Sequence, residues 1–261
     1  MGQSETELKG PPFFVSVIVP AYNEEDNIPP CVEQLSRAMR EAGYKAEIIL
    51  VNDGSTDNTL SVARSLQEKC PSLRVLNLKR NFGKATALKE GVRAAKGDLV
   101  AFFDADMQYD ATDLARLVNH VNNGADVANG RRDYNGYGQT RTTFSRLYNA
   151  ILKVVFTMSL TDSNCGMKVL NRRAANPDTL FRYGLPLVIP FLKVQGFRLN
   201  EVPVSMRIRR AGESKYFKNG SFLGGWSNLR DISYHSGMLL GLLAGLPVRW
   251  LEKQSMATDQ S

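Results

Sequence analysis

Residues 99–108 read LVAFFDADMQ, an apolar run that passes straight into Asp104, Asp106 and Gln108 at alternate positions. Four to eight apolar residues without polar interruption are the pattern of a strand buried on both faces, as in a parallel sheet. In open parallel sheets ligands bind beyond the carboxyl ends of the strands. The side chains that follow Phe103 are therefore where chemistry is expected. Two carboxylates and one amide offer oxygen donors to a hard divalent cation, which commonly keeps one or two carboxylates and completes its shell from substrate phosphates.

Working outward, residues 13–20 (FFVSVIVP) and 46–51 (AEIILV) also read as buried strands, and 73–78 as a further strand. Between them, 26–42, 56–69, 84–95 and 112–122 have helical character; in the first, Ile28, Val32, Leu35 and Met39 share one face. Residues 126–129 close the pattern. Strands alternating with helices predict an α/β fold, a mostly parallel sheet with helices on both faces. Beyond Gly130 the pattern changes: a polar loop over 131–142, an amphipathic helix over 143–159, a strand over 196–205, a basic loop over 206–219 and helix from 221 onward. The expected organisation is a lead-in over 1–12, one domain over 13–220 and a C-terminal helical extension over 221–261.

The other strand ends are polar too: Pro20-Ala21-Tyr22-Asn23-Glu24, Asn52-Asp53-Gly54-Ser55-Thr56-Asp57 and Arg80-Asn81-Phe82-Gly83-Lys84. Four such ends on one edge are hard to attribute to solvation alone. Asp53 can accept hydrogen bonds from a base or ribose, and Asp57 reads as a helix cap. The stretch from Asp53 is not a calcium loop, having Gly at its second position and Arg64 at its twelfth. Gly83-Lys84 opens a helix, so free N–H groups and an ammonium could face a phosphate. Walker-type and dinucleotide-binding glycine motifs are absent.

The chain has 261 residues and a net charge of +7. Its composition argues against a disordered chain, a collagen or a disulfide scaffold. Residues 1–130 hold 14 basic and 18 acidic side chains, and 131–261 hold 19 and 8. The basic half suggests an anionic partner, whether nucleic acid, a membrane surface or phosphate groups, or else a solvated basic face. Cys31, Cys70 and Cys165 are far apart with no Cys-x-x-Cys, which points to structural thiols in a reducing compartment. The N-terminus lacks the features of a secretory signal, and its loose myristoylation pattern at Gly2 is read as chance. Met238–Leu246, extended through Pro247, Val248, Trp250 and Leu251, is shorter than the ~20 residues of a spanning helix. It reads either as a helix packed on its own domain or as a membrane-interface segment anchored by Arg249, Trp250 and Lys253.

The segments VSVIVPAYNEEDNI, ILVNDGSTDNT, RNFGKATALKEGVRAAKGD, FFDADMQ, NGRR, SRLYN, DSNCGMKVL and EVPVSMRIRRAGESKY, in this order over roughly residues 13–218, resemble the family 2 glycosyltransferases of the GT-A fold. Within that family they are most similar to dolichol- and polyprenol-phosphate sugar synthases. The resemblance implies that Pro20, Tyr22, Glu24 and Asp53 hold the nucleoside, with Lys84 and Asp104 also in the nucleotide-sugar site. It implies Mg²⁺ or Mn²⁺ on Asp104, Asp106 and Gln108. Arg131 and Arg132 (NGRR), Arg141, Arg146 (SRLYN), and Arg209, Ser214 and Lys215 (RRAGESK) would receive an acceptor phosphate, with Asp106, Arg132, Arg209 and Lys215 carrying catalysis. Arg131 stands where the family has Ser, which leaves open which of the two guanidinium groups acts. Several relatives have Asp-Asp where this chain has Asn52-Asp53.

The implied reaction is inverting transfer of a hexose from a nucleotide sugar to a polyprenyl or dolichyl phosphate. GDP-mannose is the first expected donor, then UDP-glucose or a UDP-N-acetylhexosamine. A hydroxyl acceptor needs a general base, whereas a lipid phosphate is already anionic and needs cations to position it. His120 and His235 read as structural, and Asp162 is the only obvious alternative base. The many arginines and few acids of the second half favour the phosphate acceptor. The competing readings are a family 2 transferase acting on a glycan hydroxyl and a non-enzymatic nucleotide or nucleic-acid binding module. Expected partners are a nucleotide sugar, the lipid phosphate and a membrane surface, with a membrane-protein partner or a second copy as further options, and no nucleic acid. The expected location is the cytoplasmic face of a membrane, held peripherally.

Overall fold

In a computed structural model, residues 13–132, 149–150, 152, 156, 160–182 and 184–206 are described. The 143–159 helix is covered only in part. The expectations for Arg141, Arg146, Arg209, Ser214, Lys215, His235, the N-terminal lead-in and the 221–261 extension lie outside the described residues.

Seven strands form one sheet in the order β3-β2-β1-β4-β6-β5-β7. They are β1 (Val15–Ala21), β2 (Ala46–Asn52), β3 (Leu73–Asn77), β4 (Leu99–Phe102), β5 (Val127–Arg132), β6 (Lys168–Asn171) and β7 (Leu199–Val204). Strand β1 lies at the centre, Val15 pairing in parallel with Ala46 on one side and Leu99 on the other. β6 alone runs against the rest, antiparallel to β4 and β5, so the sheet is mostly parallel, as predicted. β6 itself was not predicted, because a four-residue run headed by a lysine has no legible period. β5 also continues to Arg132, three residues beyond its predicted end.

Helices cover both faces. Ile28, Leu35 and Met39 of α1 (Ile28–Glu41), Ala63 of α2 (Thr59–Lys69) and Leu114 and Leu117 of α4 (Ala111–Asn122) pack with Val17, Leu50 and Ala101 on one face. On the other, Ile18, Ile49 and Val100 meet Leu88 and Val92 of α3 (Lys84–Ala94), Leu180 of α5 (Pro177–Leu180) and Ile189 of α6 (Val188–Val194). Burial on two faces is why these strands read as continuous apolar runs rather than alternating ones. Cys31 and Cys165 are buried and Cys70 half-buried, all three as free thiols.

Helix α2 begins at Thr59 rather than at 56 because the preceding residues are sewn to the loop after β1. Asn23 N–H donates to Ser55 Oγ (2.9 Å) and Thr56 N–H to Asn23 Oδ1 (2.8 Å). Glu24 N–H donates to Thr59 Oγ1 (2.8 Å). The N-cap position falls to Asn58; Asp57, the expected cap, lies one residue earlier and accepts from Thr59 N–H (3.0 Å), while its other oxygen accepts from Glu25 N–H (3.3 Å). Gly54 is where this unit meets the loop after β3. Its φ is +64°, and a Cβ there would lie 2.2 Å from the carbonyl carbon of Arg80. Gly54→Ala is therefore expected to cost roughly 2–4 kcal/mol, combining left-handed strain with an overpacked backbone contact; thermal or denaturant unfolding measures it.

Candidate active site

The turn after β4 keeps the alternation of its sequence. Asp104, Asp106 and Gln108 are half-exposed, whereas Ala105, Met107 and Tyr109 are buried. Met107 takes φ +59°, and the Gln108 N–H donates to Asp106 Oδ1 (3.2 Å). The three expected metal donors thus stand on one side of a turn anchored from the other. Asp104 Oδ1 meets the Lys84 ammonium at 2.5 Å. On its other flank the backbone of Gly166 approaches so closely that a Cβ would lie 2.3 Å from Asp104 Oδ2. Among the described residues no cluster of three or more His, Cys, Asp or Glu could hold a metal by itself. Two carboxylates and an amide instead fit a hard cation whose remaining ligands come from a substrate diphosphate.

Asp53 is 3% exposed. Its two oxygens accept from Phe82 N–H (2.8 Å) and Gly83 N–H (2.9 Å). Burial pushes its carboxyl up and those two bonds only partly oppose this. The Gly83 N–H, at the helix start that the sequence suggested could face a phosphate, is thus turned onto Asp53 together with that of Phe82. The expected reach of Lys84 to a phosphate starts from its pairing with Asp104. Asn52 explains its departure from Asp: its amide donates to Asn77 Oδ1 (2.7 Å) while its carbonyl accepts from Ser55 N–H (3.3 Å). A carboxylate could not make the first of these bonds. Pro20 and Tyr22 are half-buried at the end of β1, and Glu24 is buried with Oε2 accepting from Asn27 Nδ2 (2.7 Å). Phe82 is 47% exposed on the loop that runs from β3 to Lys84, with the Arg80 guanidinium 4.9 Å from its ring centroid.

The end of β5 separates the two adjacent arginines. Arg131 is exposed. Arg132 donates to Asp162 in a bidentate pair, Nε to Oδ2 and Nη2 to Oδ1, each 2.7 Å, and its N–H also reaches Oδ2 (3.0 Å). Asp162 is 1% exposed. Burial alone would raise its carboxyl, but the Arg132 hydrogen bonds and charge bring it below the usual range. Such a carboxylate is a poor general base, being enclosed, weakly basic and already paired on both oxygens. Because its folded pKa is depressed, the pair stabilises the fold above the unfolded value of about 4 and is lost as pH falls through the folded one. A melting temperature that falls less steeply below about pH 4 in Asp162→Asn than in the native protein would check this assignment, the remaining fall coming from other carboxylates held low, such as Glu47 and Asp126. His120 is exposed at the last turn of α4, whose first turn is the end nearer the Asp104–Gln108 turn.

Sequence reasoning passed over the supports of this site. Glu201 of β7 accepts from the N–H groups of Thr161 and Asp162, both 2.8 Å. Asn149 Oδ1 accepts from Ser163 Oγ (3.0 Å). The buried Tyr109 hydroxyl accepts from Gly166 N–H (3.2 Å) and the Cys165 thiol (3.6 Å). Lys168, at the start of β6, is buried beside them. Its place inside the matched segment DSNCGMKVL was the available signal, because lysine is almost never fully buried without a reason.

The chain matches the model for glycosyl transferase family 2 over residues 16–177. It is 33% identical over 206 residues to an undecaprenyl-phosphate 4-deoxy-4-formamido-L-arabinose transferase of Edwardsiella ictaluri, covering 78% of this chain and 63% of the relative. It is 32% identical to the enzyme of the same name from Proteus mirabilis, covering 91% and 70%. The chain thus spans about two thirds of the length of these relatives. Among solved structures, glucosyl-3-phosphoglycerate synthase from Mycobacterium tuberculosis in complex with Mn²⁺, UDP and glucosyl-3-phosphoglycerate superposes with a TM-score of 0.60 at 19% identity, over 90% of this chain and 81% of that one. That likeness carries the fold, a GT-A architecture. The sheet order, the Asp-Ala-Asp turn at its carboxyl edge and the family match agree: this chain belongs to glycosyl transferase family 2.

Proposed function

We propose that the protein transfers a sugar from a nucleotide sugar to a polyprenyl phosphate, with inversion and with a divalent metal at Asp104, Asp106 and Gln108. The observation that carries this reading is the convergence on one sheet edge of the Asp104–Gln108 turn, the Asp53–Lys84 loops and the Arg131–Arg132 end of β5. The names of the relatives support the acceptor, since they are undecaprenyl-phosphate sugar transferases. So does the pairing of Asp162 with Arg132, because a hydroxyl acceptor would need a base and a lipid phosphate would not. A bound Mg²⁺ or Mn²⁺ would stabilise the negative charge of the departing diphosphate. Asp104 and Asp106 would hold that ion. Lys84 would exchange its carboxylate for phosphate oxygens, Asp53 would keep the loop after β3 rigid beside the nucleoside, and Arg131 would meet the acceptor from the exposed face of β5.

GDP-mannose remains the first donor proposed, followed by UDP-glucose and UDP-N-acetylhexosamines. The relatives named above are transferases of 4-deoxy-4-formamido-L-arabinose, and the structural neighbour was solved with UDP. Arg209, Ser214 and Lys215 are proposed to complete the acceptor site. Residues 13–220 are proposed as the transferase domain and 221–261 as a helical extension at a membrane interface, putting the protein at the cytoplasmic face. No helix among the described residues is long and apolar enough to cross a membrane.

A thermal-shift panel of GDP- and UDP-sugars with and without Mn²⁺ tests the donor side. A matching donor at about a hundred times its Kd should stabilise by about 2.7 kcal/mol, or roughly 5–10 °C, only when metal is present. The same shift in EDTA would remove the metal from the account, and no shift with any donor would remove the reading itself.

A further inference from the structure

Lys168 is 6% exposed, yet among the described residues no carboxylate lies within ion-pair distance of its ammonium. The partner of its Nζ is the carbonyl oxygen of Cys165. Its opposite number in the register is Asn129 of β5, which is fully buried and donates through Nδ2 to the carbonyls of Gly130 (2.9 Å) and Asp162 (2.6 Å). Turning that amide round would set its oxygen against two carbonyls, so its orientation is fixed. Asn129 Oδ1 is left buried with no hydrogen-bond partner among the described residues. Paired residues of an antiparallel ladder point to the same face. Among the described residues, an under-satisfied cation and an unsatisfied acceptor therefore share one face of the sheet, at the edge that carries Asp104.

Burial works against the ammonium, with Arg132 and Lys84 adding repulsion and Cys165 and Asp162 opposing them, so that its pKa falls to about 8. A methionine would fill a similar volume without the desolvation penalty of a charge. Buried charge that costs stability is found where chemistry needs it. Here the carbonyl held by Lys168 belongs to the turn over residues 162–167. One end of that turn clamps Arg132 through Asp162, and near the other Gly166 presses on Asp104.

We propose that Lys168 is a positioning residue for sugar transfer, its ammonium holding the 162–167 turn so that Arg132 keeps its place at the phosphate-binding edge and Asp104 its place in the metal-binding turn. The inference rests on the transferase reading above. Lys168 acts through these neighbours and need not touch substrate.

The test compares wild type with Lys168→Met and Lys168→Arg. Lys168→Met is expected to melt no lower than wild type near pH 7. Its kcat for transfer should fall at least about tenfold, with KM for the nucleotide sugar held within about twofold, and Lys168→Arg should recover most of that loss. The folded pKa lies below the unfolded value of about 10.4, so the charge destabilises the fold below about pH 8 and this penalty fades as pH rises. Wild type should therefore gain in melting temperature on Lys168→Met between those values. A lower melting temperature for Lys168→Met with kcat unchanged would make the lysine a structural clamp and overturn the proposal, as would Lys168→Arg being as impaired as Lys168→Met. Should wild type transfer sugar from no donor, the transferase reading falls, and the melting comparison alone then decides whether Lys168 carries an uncompensated charge.

Discussion

Asp106→Ala is expected to lower the transfer rate by about three orders of magnitude or more. A divalent ion on a departing diphosphate supplies several kcal/mol of transition-state stabilisation, and about 4 kcal/mol corresponds to a thousandfold in rate. Asp106 is one of two carboxylates on the turn, so its removal takes away half of the charge that would hold the ion. Asp106 also accepts from Gln108 N–H, so alanine loosens the turn as well. Asp106→Asn separates these effects: an amide oxygen can still accept that bond, but the charge is gone. Both variants should lose the metal-dependent thermal shift with nucleotide, while Asp106→Asn keeps the melting temperature of the wild type in the absence of ligand. Asp106→Asn with near-normal transfer would contradict the metal assignment.

The second large effect is on stability. Asp162→Ala leaves the half-buried Arg132 guanidinium without its bidentate partner, and breaking a buried pair from one side costs about 3–5 kcal/mol. For a chain of this size that is a fall in melting temperature of roughly 10 °C. Removing both charges, as Asp162→Ala with Arg132→Met, should cost less than the sum of the two single changes, because no orphaned charge remains. The stability effect also changes what substitution of Asp162 reveals about acceptor chemistry. Activity lost in Asp162→Asn follows from a displaced Arg132 as readily as from a missing base. Comparing Asp162→Asn with Arg132→Met separates the two, since only a catalytic base would make the first much worse than the second.

The two-faced strands β1, β2 and β4 were legible in the sequence because burial on both sides demands unbroken apolar runs. The Asp104–Gln108 turn was legible because its alternation survives folding, with Ala105, Met107 and Tyr109 going inward. β6 was not legible: Lys168 heads a short strand whose environment comes largely from β4 and β5, both distant in sequence. Gly83-Lys84 was read on local grounds as a helix start whose N–H groups and ammonium could face a phosphate. The Gly83 N–H, with that of Phe82, closes on Asp53, thirty residues earlier, and nothing local signals that pairing. The two arginines at the end of β5 are alike in sequence. Strand alternation separates them, exposing Arg131 and turning Arg132 toward Asp162.

The most direct measurement supplies detergent-solubilised polyprenyl phosphate as sole acceptor, with a nucleotide sugar that gives a thermal shift and with Mn²⁺, and analyses the lipid product. The expected product is a glycosyl phosphate lipid whose anomeric configuration is opposite to that of the donor, formed with metal and lost in Asp106→Asn. Transfer only when a glycan hydroxyl replaces the lipid phosphate, or a product of retained configuration, would contradict it.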